Sequence, residues 1–191
     1  MLIDDIRAYA RDKNIPIMRD KTIKELIDNI ITNKPLRILE IGTAIGYSGI
    51  IMLSNSVAEL MTIEIDEDRA DIARGNFTKA RLNNRVKLIV GDANEVIPCI
   101  TLKYDFILLD GPKGHYNEML PYLLEILNIN GILFADNVLY MGLVEADEVG
   151  HKHRTIVNNM RKFLDMITND KRLDSRIIKI DDGIIIAAKR Y

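Results

Sequence analysis

The sequence predicts an α/β fold: a mostly parallel, seven-stranded sheet with helices on both faces and an antiparallel hairpin at its C-terminal end. Three observations predict it. Five short runs rich in Ile, Val and Leu alternate with helical periodicity between residues 38 and 135, one long helical pattern follows residue 152, and two final apolar runs meet at Asp181-Asp182-Gly183. Strands separated by helices run parallel and are buried on both faces, whereas Asp-Gly between apolar runs marks a hairpin.

Taken in order, Ile23, Leu26, Ile27, Ile30 and Ile31 repeat at three-and-four spacing behind Asp20, read as an N-cap. They predict a helix over 20–33 that Lys34-Pro35 ends. The runs Ile38 to Ile41, Met61 to Ile65, Val86 to Val90, Phe106 to Leu109 and Ile132 to Ala135 are too short for typical helices and read as buried strands. Between them lie helical patterns over Asp68 to Leu82 and Tyr116 to Leu127. The last long helix carries Ile156, Met160, Phe163, Leu164 and Ile167 as its apolar stripe. Residues 138–152, with Gly142 and Gly150, form the longest loop, a length at which loops are often functional. No repeat or linker divides the chain, so one domain is expected over 1–191, with 1–34 as a helical cap segment and 35–191 as its core.

A 191-residue chain with 48% hydrophobic and 28% charged residues has the composition of an ordinary soluble globule, and its net charge of -2 gives no global attraction to nucleic acid or membrane. A polyanionic partner must therefore be held by a local patch. Cys99 is the single cysteine and forms no internal disulfide. The first residues lack the basic region and apolar core of a signal peptide, and no apolar run approaches the roughly 18 residues that span a bilayer. A cytoplasmic protein without membrane association is expected.

Gly42 and Gly46 follow the first strand and precede a helical stretch, where missing side chains let the backbone turn sharply and approach a ligand. This is a Rossmann-like location, but G-x-x-x-G lacks the tight pyrophosphate turn of the dinucleotide fingerprint. The expected ligand is a nucleoside without a pyrophosphate. Glu64 ends the second strand 22 residues after Gly42, where a carboxylate accepts hydrogen bonds from both ribose hydroxyls. Gly91-Asp92-Ala93 ends the third strand at the same edge, placing Asp92 to receive an adenine amino group. Each feature alone also fits an ordinary turn or a solvated carboxylate; three at consecutive strand ends point to a ligand.

The fourth strand delivers Asp110 to this edge before the turn Gly111-Pro112-Lys113-Gly114-His115, and Asp136-Asn137 follows the fifth. Two carboxylates and an amide oxygen form a hard, all-oxygen set with positions left for water and substrate, as magnesium prefers. Lys113, three residues beyond Asp110, is a candidate general base. An N-cap role for Asp136 and a solvated Lys113 are the alternatives. His115, His151 and His153 carry no zinc-site spacing, and the basic cluster His151-Lys152-His153-Arg154 either binds phosphate or stays solvated.

With these residues in place, the chain resembles the metal-dependent class I O-methyltransferases, the family of catechol and caffeoyl-CoA O-methyltransferases. The resemblance rests on Leu39-Glu40-Ile41-Gly42-Thr43-Ala44-Ile45-Gly46-Tyr47-Ser48, Thr62-Ile63-Glu64-Ile65, Val90-Gly91-Asp92-Ala93, Leu109-Asp110-Gly111-Pro112-Lys113 and Ala135-Asp136-Asn137-Val138-Leu139. It implies a Rossmann-like methyltransferase that uses S-adenosylmethionine. The implied donor site comprises Met18, Glu40, Gly42, Thr43, Gly46, Tyr47, Ser48, Glu64, Ile65, Asp92, Ala93 and Asp110. In it the methionine end lies near Gly42 and Ser48, the ribose on Glu64 and the adenine near Ile65, Asp92 and Ala93. The resemblance also implies Mg2+ on Asp110, Asp136 and Asn137, catalysis by Lys113 and Asp110, and a homodimer.

Within the family, Ile15-Pro16-Ile17-Met18, Asp136-Asn137-Val138-Leu139 with Gly142-Leu143-Val144, and Asp182-Gly183-Ile184 look most like the bacterial tRNA 5-hydroxyuridine methyltransferases. That likeness implies an acceptor in the tRNA anticodon, which becomes 5-methoxyuridine and would meet Lys152 and Arg154 through its phosphates. A small catechol-like molecule is the alternative acceptor, and a non-catalytic nucleoside- or RNA-binding module a third reading.

Overall fold

Strand and helix alternate along the computed structural model, which describes residues 2–191 and divides into two units, 1–93 and 94–191. The first unit contains α1 (Leu2–Asp12), α2 (Asp20–Asn33), β1 (Arg37–Ile41), α3 (Tyr47–Ser54), β2 (Glu59–Glu64), α4 (Glu67–Lys79) and β3 (Val86–Val90). β2 lies between β1 and β3, parallel to both, with Ile41 opposite Ile63 and Glu64 opposite Val90. In-step pairing brings the carboxyl ends of all three strands to one edge. The core here is Ile38, Leu39, Ile41, Ile63, Met52 and Phe77, all nearly or fully buried.

Two helix boundaries differ from expectation for identifiable reasons. Asp20 is the first residue of α2 rather than its cap; Arg19 is the extended N-cap, and the Asp20 carboxylate pairs with Arg7 instead. α4 is capped by Asp66, which accepts the Arg69 N–H at 3.0 Å, and it stops at Lys79 because Arg81 turns left-handed with φ of 59°. Helix α1, which weak periodicity hides in the sequence, buries Ile6 and Ala10.

The second unit follows a short helix, α5 (Ala93–Val96), and contains β4 (Tyr104–Leu109), α6 (Tyr116–Ile126), β5 (Leu127–Ala135), α7 (Arg154–Asn169), β6 (Leu173–Ile178) and β7 (Ile184–Lys189). β4 and β5 are parallel, with Leu109 opposite Ala135; β7 runs antiparallel between β5 and β6. The stripe of α7 buries Val157 where Ile156 was expected, alongside Met160, Phe163, Leu164 and Ile167. The hairpin loop spans residues 179–183, longer than a two-residue Asp-Gly turn, and Asp181 and Gly183 both have positive φ. Seven strands, mostly parallel with β7 antiparallel to both its neighbours, and the helices around them place the chain in the Rossmann-like α/β class. Among the described residues no helix is long and apolar enough to cross a membrane.

Candidate functional site

In the first unit the turn after β1 is conformationally expensive. Gly42, Ala44 and Gly46 all lie at positive φ, of 98°, 45° and 83°. For Ala44 this left-handed backbone costs on the order of 1–2 kcal/mol, so the turn needs anchors. Several surround it. The Gly42 and Thr43 N–H groups bond the Ile63 carbonyl at 3.0 and 3.2 Å, and the Ala44 N–H donates to Glu64 Oε2 at 2.7 Å. Thr43 Oγ1 meets Thr62 Oγ1 at 2.5 Å, and Thr62 in turn donates to Glu40 Oε2 at 2.7 Å. Ser48 donates to the other oxygen of the fully buried Glu40. Asn76 of α4 donates to the Ile45 carbonyl at 2.9 Å.

Glu40, Thr43 and Ser48 thus form a buried polar scaffold beneath the turn. A Cβ on Gly46 would sit 3.3 Å from the Phe77 ring, and one on Gly49 3.1 Å from Glu40 Oε2, so small residues let α3 start against both. Tyr47 is buried, and its hydroxyl accepts a hydrogen bond from Arg7 Nε at 2.7 Å. Met18 is buried as well.

Glu64 stands at the end of β2, 7% exposed, with Oε2 on the Ala44 N–H and Oε1 on the Asp66 N–H at 3.0 Å. Each carboxylate oxygen has a second lone pair. One acceptor site per oxygen therefore stays open, which suits two adjacent ribose hydroxyls. Ile65 and Val90, at the ends of β2 and β3, are exposed by 69% and 38%, an apolar pair beside the half-buried Asp92 and the buried Ala93. Apolar surface at a polar edge suits the face of a purine. The residues present fit a nucleoside donor.

In the second unit, Leu109 pairs with Ala135, and the Asp136 N–H bonds the Leu109 carbonyl at 3.1 Å, so Asp110 and Asp136 leave adjacent strands side by side. Asp136 is 3% exposed, and its Oδ1 accepts the Asn137 N–H at 2.7 Å while Asn137 adopts φ of 57°. Burial pushes the Asp110 carboxyl above the usual carboxylate range, against the pull of Lys113. Burial and the neighbouring Asp110 push Asp136 up to about 7. A buried carboxylate beside a half-buried one, each opposing the other's ionisation, with an amide residue next in sequence, suits a hard divalent cation. No group of three His, Cys, Asp or Glu side chains gathers among the described residues.

Lys113 lies 3.6 Å from Asp110 Oδ1 and donates to the Gly111 carbonyl at 3.5 Å. Sequence reading overlooked Tyr116. Its buried hydroxyl bonds the Leu109 carbonyl at 3.1 Å and approaches the Asp136 carbonyl at 3.5 Å, while burial and both carboxylates hold its pKa far above the ordinary phenol value. Tyr116 stays a neutral donor that ties the two strand ends together. The segment after Asn137 is pinned to the hairpin loop: Val138 N–H to the Gly183 carbonyl and Leu139 N–H to that of Asp182, both at 2.9 Å. A Cβ on Gly183 would lie 2.3 Å from Leu139 Cγ. His115 pairs with Glu118 and His153 with the Tyr140 hydroxyl, whereas His151, Lys152 and Arg154 are exposed.

A family model described as O-methyltransferase matches residues 7–190. Catechol O-methyltransferase of Sus scrofa is 35% identical over 128 residues, covering 62% of this chain and 69% of that protein. An S-adenosylhomocysteine complex of an O-methyltransferase from Bacillus cereus superposes with a TM-score of 0.88 at 25% identity, covering 99% of this chain and 90% of that one. A Staphylococcus aureus protein, provisionally described as a caffeoyl-CoA O-methyltransferase, gives a TM-score of 0.91 at 29% identity over 98% of this chain and 91% of that one. The chain spans 66 to 75% of the length of the fungal and plant relatives that it matches. The chain belongs to the O-methyltransferase family and takes its methyl group from S-adenosylmethionine.

Proposed function

We propose that the chain methylates a ring hydroxyl flanked by a second oxygen, with Mg2+ or another hard divalent cation held by Asp110, Asp136 and Asn137, and that the acceptor is 5-hydroxyuridine in the tRNA anticodon. The observation that carries the metal reading is the adjacent Asp110–Asp136 pair, whose mutual repulsion a divalent cation would relieve. When bound, the cation supplies positive charge that lowers the pKa of the acceptor hydroxyl, and the donor supplies a methyl carbon on a sulfonium.

The chain's own residues do the rest by positioning. Glu64 holds the ribose of the donor, and the anchored Gly42–Gly46 turn offers its backbone to the methionine end. Lys113 Nζ takes the hydroxyl proton; as the new O–C bond forms, the C–S bond breaks and its electron pair stays on sulfur. Alignment of oxygen, carbon and sulfur supplies most of the acceleration, since effective molarities for well-oriented reactants reach about 10⁵ M or more.

The exposed His151, Lys152 and Arg154 at the start of α7 support the tRNA acceptor, because phosphates are positioned by such side chains. The identity to catechol O-methyltransferase supports a small vicinal diol as the second reading. The test offers the purified protein S-adenosylmethionine, Mg2+ and either tRNA bearing 5-hydroxyuridine or catechol, with nucleosides and products read by mass spectrometry. Formation of 5-methoxyuridine, lost with chelator, is the expected result. Methylated catechol alone would replace the acceptor, and turnover undiminished by chelator would overturn the metal.

A further inference from the structure

We infer that Arg7, on the N-terminal helix, is a positioning residue for the methyl donor: it clamps Tyr47 and thereby fixes the strained turn on which the donor rests. The inference rests on the assignment of S-adenosylmethionine to that turn.

Gly42, Ala44 and Gly46 give the turn three left-handed residues within five positions. On its strand side it is tied to Ile63, Thr62 and Glu64, and Asn76 ties its middle to α4. Its helix side begins at Tyr47, the first residue of α3, whose N-cap Gly46 has no side chain to offer. The anchor there comes from about 40 residues upstream in sequence, from α1. Arg7 Nε donates to Tyr47 Oη at 2.7 Å, and its guanidinium carbon lies 5.5 Å from the centre of the same ring.

A hydrogen bond from a charged donor and a cation–π contact thus converge on one ring, which is only 2% exposed. Arg7 also reaches Asp20 at 2.7 Å, but that carboxylate is 83% exposed, so solvent screens the pair and it adds little. Ser48, adjacent to Tyr47, carries the bond to Glu40, so a shift of Tyr47 moves both ends of the helix start. Arg7 touches nothing that reacts. Its loss should therefore appear in donor affinity and leave the chemical step intact.

The test measures S-adenosylhomocysteine binding by calorimetry well below the melting midpoint, together with steady-state kinetics. Arg7→Ala should raise the dissociation constant about tenfold and Tyr47→Phe, which keeps the ring beneath the guanidinium, by less; the double variant should be no worse than Arg7→Ala, because that substitution already removes both contacts. The donor KM should rise in parallel while kcat at saturating donor holds. Arg7→Lys should recover part of the affinity and Asp20→Asn should match the wild type. A lower melting midpoint with unchanged affinity, or additive losses in the double variant, would overturn the inference. Tyr47→Phe removes a single oxygen and carries the test if Arg7→Ala does not fold. Failure of the wild type itself to bind the ligand would instead overturn the donor assignment.

Discussion

Glu64 joins the strand end to the proposed donor site in a single side chain. Its two oxygens already accept the Ala44 and Asp66 N–H groups, and each keeps one acceptor site toward solvent. Glu64→Gln keeps the shape but turns one acceptor into an NH2 group facing an N–H donor. Leaving a buried donor unmatched costs about 1–3 kcal/mol, so donor affinity should fall by roughly 10- to 100-fold and the melting midpoint should drop as well. Calorimetry with S-adenosylhomocysteine and a thermal melt check both arms; unchanged affinity would remove the ribose from Glu64. Gly183 makes a second case. At φ of 77° and with its missing Cβ 2.3 Å from Leu139, Gly183→Ala combines left-handed strain with a backbone displacement of residues 138 and 139. A loss of about 2–4 kcal/mol is expected in urea unfolding. At this scale Gly42, Gly46, Glu64, Asp110 and Asp136 were legible because glycines and carboxylates recur at successive strand ends, the edge where ligands of open parallel sheets collect. Arg7, Asn76 and Tyr116 were not, since each acts on a partner that only the folded chain brings near.

Elements were legible where periodicity is strong and less so at their ends. The apolar interiors of β1, β4 and β5 are visible in the sequence, but polar residues at or next to their starts, Arg37, Asp105 and Asn128, obscure where each begins. α1 lies in the segment 1–34 expected to be helical, but its own bounds were not legible, because Ile6 and Ala10 stand among Asp4, Asp5, Arg7, Arg11 and Asp12. Asp20 was read as a cap because its type suits one; its side chain went to Arg7 instead. Helix α2 ends as predicted, yet by a route Lys34-Pro35 does not announce. Lys34 itself takes the left-handed position, φ 47° and ψ 55°, and its N–H returns to the Ile30 carbonyl. Only glycine occupies that position without strain. Lys34→Gly should therefore stabilise the protein by about 0.5–1 kcal/mol in chemical denaturation, with no change in donor affinity.

The whole molecule carries a conflict that its charge balance does not reveal. A net charge of -2 is unremarkable, but two of the acids, the half-buried Asp110 and the buried Asp136, stand together. Asp136 is held near 7 in the folded chain against about 3.8 when unfolded, so between these values the unfolded state has released a proton that the folded state keeps. Stability of the cation-free protein should therefore fall as pH rises from about 4 to about 7, by up to about 1.4 kcal/mol per pH unit for one proton, and level off above. Held by this pair as proposed, Mg2+ should reverse the sign, because it would bind the ionised carboxylates. Its stabilising effect should grow with pH up to about 7 and fade below as protons compete, affinity dropping about tenfold per unit for each proton displaced. Melting curves with and without Mg2+ from pH 5 to 8 would show the two profiles diverging as pH rises. Asp136→Asn removes the conflict: the cation-free variant should be more stable than wild type at pH 8, and Mg2+ should no longer raise its melting midpoint. Parallel profiles in the wild type, or a variant that still responds to the cation, would place the metal elsewhere than on this pair.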